Sequence, residues 1–415
     1  MNSLKYPNII NLIIVSIVPF LILGPFFPDL IVSVSSLIFL YQVLKKNEFY
    51  YFNNKPFIIF LLFCIISSLI SLESENISLS IKSSLFYFRI GVFSCIIWYL
   101  IDKDKSILSY FYYALIFCFS ALVIDGYFQY FTGANLLGFK MVGIRVSSFF
   151  GDELIMGSYL SRLFPLMFAL FLVKRKFKYE TYFIGLLFIL VDILIYMSGE
   201  RSAFFFLNLS TIFIIILIKE YQKFRLITFI IAIICIIILS LNLSSYSDRM
   251  FTEPAKNMGL IENENSQNKT IFTPVHDSHY RTAYKMFKDK PFLGHGPKMF
   301  RVVCKNKKYA VGPSPCSTHP HNFYIQLLAE TGIVGFLFLF SPLTYVFIVS
   351  LRQFKSIILR EKRPLTDYQV CLLAGILITL WPFAPHGNFF NNWLIIVYSL
   401  PVGFYLQSIY YKKKV

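Results

Sequence analysis

The stretch RLITFIIAIICIIILSLNL, residues 225–243, decides the fold class, because it is an almost unbroken apolar run. A helix that crosses the hydrocarbon core of a bilayer needs about 20 mostly apolar residues. Comparable blocks recur along the chain, at 8–24, 27–44, 57–72, 83–101, 107–131, 154–173, 181–197, 202–218, 322–350, 369–384 and 389–410. The sequence therefore predicts an all-α, polytopic membrane protein with about twelve transmembrane helices.

The distribution of charge predicts how these helices are oriented. The chain has 415 residues and a net charge of +17, which by itself would also fit a nucleic-acid-binding protein. The basic residues, however, gather in alternate connections and at the C-terminus: Lys45, Lys46, Lys55, Lys103, Lys105, Lys174, Arg175, Lys176, Lys178, Lys219, Lys223, Arg225, Arg352, Lys355, Arg360, Lys362, Arg363, Lys412, Lys413 and Lys414. The opposite connections, 73–78, 198–202 and 385–388, are nearly free of them. This positive-inside pattern predicts that both termini are cytoplasmic and that the charge contacts lipid headgroups, not nucleic acid.

One long segment, 244–321, lies outside the predicted spans. Within it DSHYRTAYKMFKDKP, residues 277–291, predicts a short helix that begins at Asp277 or Ser278 and ends before Pro291. We therefore divide the chain into transmembrane helices 1–9 (1–243), a non-cytoplasmic loop region (244–321), and transmembrane helices 10–12 with a cytoplasmic tail (322–415). The three parts form one integral membrane domain.

Two of the seven cysteines, Cys304 and Cys316, lie in this loop region. If the compartment is an oxidising periplasm, they can form a disulfide. A zinc site is the alternative, although the irregular spacing of nearby Cys and His residues favours it less. The other cysteines fall inside spans and are interpreted as small buried apolar groups.

Arginines in or beside spans are informative, because a guanidinium in hydrocarbon needs a partner or water. Three occupy such positions, Arg89, Arg162 and Arg201, and two more, Arg145 and Arg281, lie in the predicted outer loops. Several arginines converging on one outer cavity would suit a phosphate or pyrophosphate group, since each planar fork gives bidentate contacts. For Arg89 or Arg162 taken alone, snorkelling to lipid headgroups is the preferred interpretation. Arg89 and Arg145 stay candidates for substrate binding.

The stretch STHPHNFYIQLLAETGIVGF, residues 317–336, carries the remaining candidates. Asn322, Gln326 and Glu330 recur every fourth residue and predict one polar stripe that faces a bundle interior or a wet cavity. Together with His319 they are candidates for substrate binding. His319 and His321 precede the helix, where an imidazole could accept a proton from a hydroxyl near neutral pH. The other histidines, His276, His279, His295 and His386, are interpreted as structural.

No residue pattern predicts a metal ion or a cofactor. Asp152 and Glu153 could ligate a cation, but two adjacent carboxylates are weak evidence for a metal site. Walker loops, H-E-x-x-H and G-x-S-x-G motifs are absent from the sequence.

Several motifs together resemble the O-antigen ligase and polymerase superfamily of bacterial inner-membrane proteins. They are HNFYIQLLAETGIVG at 321–335, RTAYKMFKDKPFLGHGPKMF at 281–300, SGERSAF at 198–204, and the earlier DGYFQYFTGANLLG and FFGDELIMGSYLSR. The resemblance implies a periplasmic loop over an active cavity and metal-independent, inverting glycosyl transfer from undecaprenyl pyrophosphate. By motif position it also implies catalytic roles for His321, Arg201 and Arg281.

The expected function is that of an O-antigen ligase, which moves a glycan from undecaprenyl pyrophosphate to a sugar hydroxyl of the lipid A core. A polymerase, which uses a lipid-linked acceptor for the same chemistry, is the alternative. A transporter of lipid-linked sugars would also use arginines in a cavity, but it predicts paired broken helices in two halves of the chain, and none is found. A purely structural membrane protein would have no use for such an arginine cluster.

Overall fold

The computed structural model describes residues 9–175, 177–258, 260–261 and 272–411. Lys176 and the tail residues Lys412, Lys413 and Lys414, which contribute to the predicted charge asymmetry, lie outside the described residues, as does much of the polar stretch before α14. The helices are α1 (Ile9–Val15), α2 (Ile17–Leu23), α3 (Phe26–Lys46), α4 (Lys55–Ser71), α5 (Ile77–Ser84), α6 (Phe88–Lys103), α7 (Ile107–Thr132), α8 (Met156–Lys174), α9 (Lys178–Met197), α10 (Arg201–Leu217), α11 (Gln222–Asn242), α12 (Ser244–Ser247), α13 (Glu253–Asn257), α14 (Pro274–Asp289), α15 (Phe300–Val303), α16 (Phe323–Ile358), α17 (Asp367–Thr379) and α18 (Asn392–Tyr410).

The all-α membrane architecture is confirmed. Among the described residues, eight helical segments are long and apolar enough to cross a bilayer: Phe26–Lys46, Ile77–Lys103, Ile107–Thr132, Met156–Lys174, Lys178–Met197, Gln222–Asn242, Phe323–Ile358 and Asn392–Tyr410. Four apolar helical segments are shorter, Ile9–Leu23, Lys55–Ser71, Arg201–Leu217 and Asp367–Thr379. These twelve segments correspond to the twelve predicted blocks. The number that cross the membrane, the position of the termini and the division of the chain stay predictions.

Helix α8 forms the centre of the bundle. Nearly all of its residues from Met156 to Phe171 are buried, because α7, α10 and α17 surround it. Helix α18 packs along α6 at one side, and α11 packs mainly on α9 at the other. On α11 the buried positions are Arg225, Thr228, Ala232 and Ile236, so its remaining apolar surface faces outward. That outward surface suits contact with lipid.

Arg225 corrects one expectation of the charge pattern. It was assigned to a cytoplasmic connection, but its guanidinium is completely buried and pairs with Asp192 of α9 at 2.9 Å. A second nitrogen of the same guanidinium donates to Thr211 of α10 at 2.7 Å. Because a buried charge is tolerated only when it is paired and hydrogen-bonded, this network joins α9, α10 and α11.

Helix α16 is kinked at Gly332, whose φ is 63°. The kink interrupts the helical ladder, and Ile333 N donates to the carbonyl of Pro291 at 2.9 Å. The carbonyl of Ala329, freed by the kink, accepts from His295 N at 3.0 Å. A loop therefore approaches α16 at Gly332, where a Cβ would lie 2.3 Å from Phe292 O.

The segment before α16 carries the predicted short helix and both loop cysteines. Helix α14 begins earlier than expected, since Thr273 caps it and Pro274 occupies its first turn, and it ends at Asp289 before Pro291. Helix α14 packs against α16. Cys304 and Cys316 are joined by a disulfide, which closes the loop just before residues 317–321.

Candidate active site

A cavity of about 1240 Å³ opens where the loops after α7, α9 and α17 meet the segment before α16. Five cationic side chains and three imidazoles line it: Arg145, Arg162, Arg201, Arg249, Lys298, His319, His321 and His386. The carboxylates in the lining are Glu153 and Glu200. The end of α2, the loop aromatics Phe149 and Phe150, and Trp393 add apolar surface. The cavity therefore suits a ligand that is anionic in one part and apolar in another.

Arg145, Arg201 and Arg249 form what we call the arginine cluster. Backbone carbonyls hold one edge of each guanidinium: Arg201 Nε donates to Arg249 O at 2.7 Å, Arg249 Nε to Gly199 O at 3.0 Å, and Arg145 Nε to Ser198 O at 2.9 Å. Arg201 also pairs with Glu253. Burial, and then the neighbouring guanidinium groups, lower the pKa of Arg145 and of Arg249. Because the three positively charged guanidinium groups repel one another, an anion bound between them would be stabilised.

The turn at 198–200 fixes this cluster to the start of α8. Gly199 has φ 65°, and a Cβ there would lie 2.7 Å from Arg249 Nε, so only glycine lets the arginine side chain approach so closely. Glu200 accepts hydrogen bonds from Gly157 N at 2.6 Å and from Ser158 N at 3.0 Å, at the N-terminus of α8. Burial raises the pKa of Glu200 to about 7, although these donors and Arg145 oppose the rise.

His319 and His321 are fixed in orientation by the loop at 382–389. The backbone carbonyl of His321 accepts from His386 N at 2.9 Å. His319 Nε2 lies 3.3 Å from the carbonyl oxygen of His386 and must donate to it, so Nδ1, 2.9 Å from Thr318 Oγ1, is its acceptor. His321 has φ 59°, an uncommon conformation for a non-glycine residue, and its Nε2 lies 3.4 Å from Ser317 Oγ.

Both imidazoles are neutral at neutral pH. Burial, and then the neighbouring His276 and His279, lower the pKa of His321 to about 4. Burial, followed by the proximity of His321, lowers the pKa of His319 to about 3. A neutral His321 keeps a nitrogen lone pair that can accept a proton from a hydroxyl.

Two histidines that we interpreted as structural lie beside His321. The ring centroid of His276 is 5.2 Å from that of His321, and the ring centroid of His279 is 5.5 Å from it. Both come from α14, where spacing three residues apart puts them on one face. In the sequence, the two histidines are spaced i, i+3 in HDSH, residues 276–279. This spacing could have predicted that one face of α14 lies against the site.

The predicted site arginines do not all reach the cavity. Arg201 and Arg145 line it together with His319 and His321. Arg281 does not: its side chain is 64% exposed and pairs with Asp277 of the same helix at 2.9 Å. Arg89 pairs with Asp29 at 2.5 Å and is also outside the lining. The expected meeting of Arg201, Arg281 and His321 is thus found for Arg201 and His321 alone, and a catalytic role for Arg281 stays a prediction without geometric support.

Of the two surroundings expected for the polar stripe on α16, the structure shows the buried interior. Asn322 Oδ1 caps the helix by accepting from Tyr324 N and Ile325 N. Gln326 Oε1 accepts from Phe389 N at 3.0 Å, and Glu330 Oε1 accepts from Phe300 N at 3.1 Å. All three side chains are buried and outside the cavity lining. In the structure they hold two loops against α16, and their assignment to substrate binding stays a prediction without support from the cavity lining.

Residues 184–340 match the family model Wzy_C, described as O-Antigen ligase. The match supports the resemblance of this part of the chain to the O-antigen ligase superfamily. Comparison with curated proteins found no match. The domain supports a membrane glycosyltransferase of the O-antigen ligase or polymerase kind.

The O-antigen ligase domain supplies only part of the cavity. Arg201, Arg249, Lys298, His319 and His321 lie inside the matched residues. Arg145, Arg162 and Tyr398 lie outside them, on the loop after α7, on α8 and on α18. The cavity therefore forms only when the central domain packs on helices from both ends of the chain.

Arg162, Arg249 and Lys298 were not predicted to join the site. Arg162 does not snorkel, since it is 5% exposed and its guanidinium lies between two aromatic rings inside the bundle. Arg249 and Lys298 lie in the polar loop region, where many charges are exposed and no periodic pattern marks the functional ones. Within the described part of the chain, no three His, Cys, Asp or Glu side chains are grouped to hold a metal ion.

Proposed function

We propose that the chain transfers a glycan from an undecaprenyl-pyrophosphate carrier to a sugar hydroxyl, at the periplasmic face of a bacterial inner membrane. The observation that carries the proposal is the shared cavity, in which the arginine cluster and Lys298 stand with the neutral imidazole of His321. Our preferred acceptor is a sugar of the lipid A core, as for an O-antigen ligase. A second lipid-linked glycan, as for a polymerase, uses the same chemistry.

The cationic side chains would act on the departing pyrophosphate. When the acceptor attacks, the bond between the anomeric carbon and the phosphate oxygen breaks, and the electron pair leaves with the pyrophosphate. Arg145, Arg201 and Arg249 are already held by carbonyl oxygens, so they need little reorganisation to stabilise this charge. Preorganised charge of this kind lowers the barrier because it interacts more strongly with the transition state than with the ground state.

His321 would accept the proton of the acceptor hydroxyl. The new bond forms between that oxygen and the anomeric carbon, on the side opposite the leaving group, so the configuration inverts. The proton passes to the imidazole, which is unprotonated before reaction because its pKa is about 4. General-base catalysis contributes ~10²–10⁴-fold in rate. Because the residues themselves supply base and positive charge, the proposal includes no metal and no cofactor.

The test is a reconstituted reaction with purified protein in nanodiscs. Undecaprenyl-pyrophosphate glycan is supplied with either lipid A core or a second lipid-linked glycan, and products are identified by mass spectrometry. A new glycosidic bond on the core supports the ligase, and one between two glycans supports the polymerase. His321→Ala should lose transfer by ~10²-fold or more while its thermal melting point matches that of the wild type. Movement of the glycan lipid across the bilayer without any new bond would overturn the proposal.

A further inference from the structure

Arg162 lies deeper in the bundle than the arginine cluster. It follows Met156 by six residues on α8, which places it about 9 Å along the helix from the end that Glu200 binds. The centre of its guanidinium is 4.4 Å from the ring centroid of Phe206 and 4.4 Å from that of Tyr398. We call these three side chains the cavity floor. The two rings fix the plane of the guanidinium and leave its edge as the part that can donate hydrogen bonds.

Two polar atoms of the cavity floor have no partner. Arg162 Nη1 and Tyr398 Oη are both buried, and neither makes a hydrogen bond. Both residues are 5% exposed, and both line the cavity. A buried donor without an acceptor costs free energy, more so for a charged group, and native proteins rarely keep one without a reason. Here two such groups share one cavity surface.

The comparison with Arg225 shows that this fold can give a buried arginine an anionic partner, although Arg225 Nε makes no hydrogen bond. Arg225 is equally enclosed by aromatic rings, yet it has an ion pair with Asp192 and a hydrogen bond to Thr211. In the described part of the chain, no carboxylate forms an ion pair with Arg162. Glu200 acts on Arg162 electrostatically, but its oxygens accept from Gly157 N and Ser158 N, so an anion that pairs directly with Arg162 would come from a ligand in the cavity.

We infer that Arg162 and Tyr398 form an anion subsite that binds a phosphoryl oxygen of the lipid diphosphate at the cavity floor. The inference rests on the proposed function for the identity of this ligand. A diphosphate has two phosphoryl groups, so one can meet the arginine cluster while the other meets the floor. A monophosphate cannot occupy both. The subsite thus makes the enzyme selective for lipid diphosphates over lipid monophosphates.

The test is equilibrium binding of farnesyl diphosphate and farnesyl monophosphate to purified protein, measured by calorimetry. Tyr398→Phe is the sharpest variant, because it removes one hydroxyl and keeps the ring against Arg162. Arg162→Gln removes the charge, and Arg162→Lys keeps the charge without the planar fork. Arg175→Gln is the matched control: this arginine ends the same helix, stacks on Tyr221 at 3.8 Å, also has a buried nitrogen without a partner, and is far from the cavity lining.

We expect Arg162→Gln to weaken diphosphate binding about tenfold or more, and Tyr398→Phe to weaken it by about threefold to tenfold, because each loses a hydrogen bond to a charged group. Monophosphate binding should change less, and Arg175→Gln should match the wild type. If Tyr398→Phe and a folded Arg162 variant both bind the diphosphate as the wild type does, the inference fails. Binding does not require transfer, so a protein that binds selectively but forms no glycosidic bond would reject the proposed function and leave the subsite standing.

Discussion

The imidazole rings of His319 and His321 lie with their centroids 4.2 Å apart, and the two residues contact the same loop residue, His386, through different atoms. His319 uses a ring nitrogen for this contact, whereas His321 uses its backbone carbonyl. The ring of His321 is therefore the one left available to a ligand in the cavity. This division allows two neighbouring histidines to differ in role: His319 contacts the loop through its ring, and His321 is the proposed base.

The pH dependence of transfer should reflect the lowered pKa of His321. The base works when neutral, so activity is present above the folded pKa and is lost as the pH falls through it. We expect kcat/KM to hold down to about pH 5 and to fall with a midpoint near the pKa of about 4. His276→Gln should move that midpoint upward, because His276 lowers the pKa of His321. The measurement is a pH–rate profile of both proteins.

Glu200, whose pKa is about 7, adds a second acid limb near neutral pH only if transfer needs its carboxylate in the charged form. Glu200→Gln identifies it, because a limb that disappears in this variant belongs to Glu200. A limb with a midpoint near 6.5 that persists in Glu200→Gln and vanishes in His321→Ala would contradict the burial-lowered pKa of His321.

Arg249 should contribute to donor binding as much as Arg201 does. Its Nε donates to Gly199 O and its carbonyl accepts from Arg201 Nε, so it both joins and supports the cluster. We expect Arg249→Gln to raise the KM for the lipid-pyrophosphate donor and lower kcat/KM by ~10-fold or more, since a charge-assisted hydrogen bond contributes about 1.5–3 kcal/mol. Steady-state kinetics with Arg352→Gln as an exposed control checks this. Unchanged kinetics in Arg249→Gln would remove it from the site.

Gly332 should tolerate no side chain. Alanine there would place a Cβ 2.3 Å from Phe292 O, at a φ of 63°. Gly143→Ala is a matched control, because its φ is also 63° and nothing lies within 4 Å of the added Cβ. The left-handed conformation alone costs about 1–2 kcal/mol, so Gly143→Ala should lower the melting temperature slightly. Gly332→Ala should lower it much more and displace the loop at 291–300. Equal melting temperatures would show that Phe292 moves away freely.

The sequence predicted what depends on composition and periodicity. The apolar blocks such as 225–243 gave the helical membrane fold, because a bilayer demands long apolar helices regardless of tertiary contacts. Spacing along one helix likewise placed Asn322, Gln326 and Glu330 on one face. What that face contacts was not predictable, since the loops at 292–300 and 382–389 reach it only after the chain folds.

Two residues that line the cavity, Arg201 and His321, could be singled out beforehand because each lies in a recognisable motif. Other lining residues were missed because a long-range contact places them there. Arg162 depends on rings from α10 and α18, and Arg249 depends on the turn at 198–200. Arg281 was predicted from its motif but does not line the cavity. The motif could not reveal that its side chain pairs with Asp277 at the surface.

The disulfide between Cys304 and Cys316 should hold the catalytic segment in place. The bridge ends one residue before Ser317, which contacts His321, and it closes a loop with a sequence separation of 12. Such a short cross-link stabilises a folded chain by about 2–4 kcal/mol, mainly by restricting the unfolded state. We expect the double variant Cys304→Ala/Cys316→Ala to melt at a lower temperature and to lose part of its kcat/KM, because residues 317–321 are no longer anchored at their N-terminal side.

Reduction of the disulfide in the wild-type protein tests the same prediction without a substitution. Dithiothreitol should lower the melting temperature and the transfer rate of the wild type to those of the double variant, and it should leave the double variant unchanged. Cys235→Ala, which removes a partly exposed free cysteine on α11, should respond to the reductant as the wild type does. If the double variant instead melts and turns over like the wild type, the bridge does not anchor His321, and the contacts of residues 317–321 with the loop at 382–389 suffice to hold it.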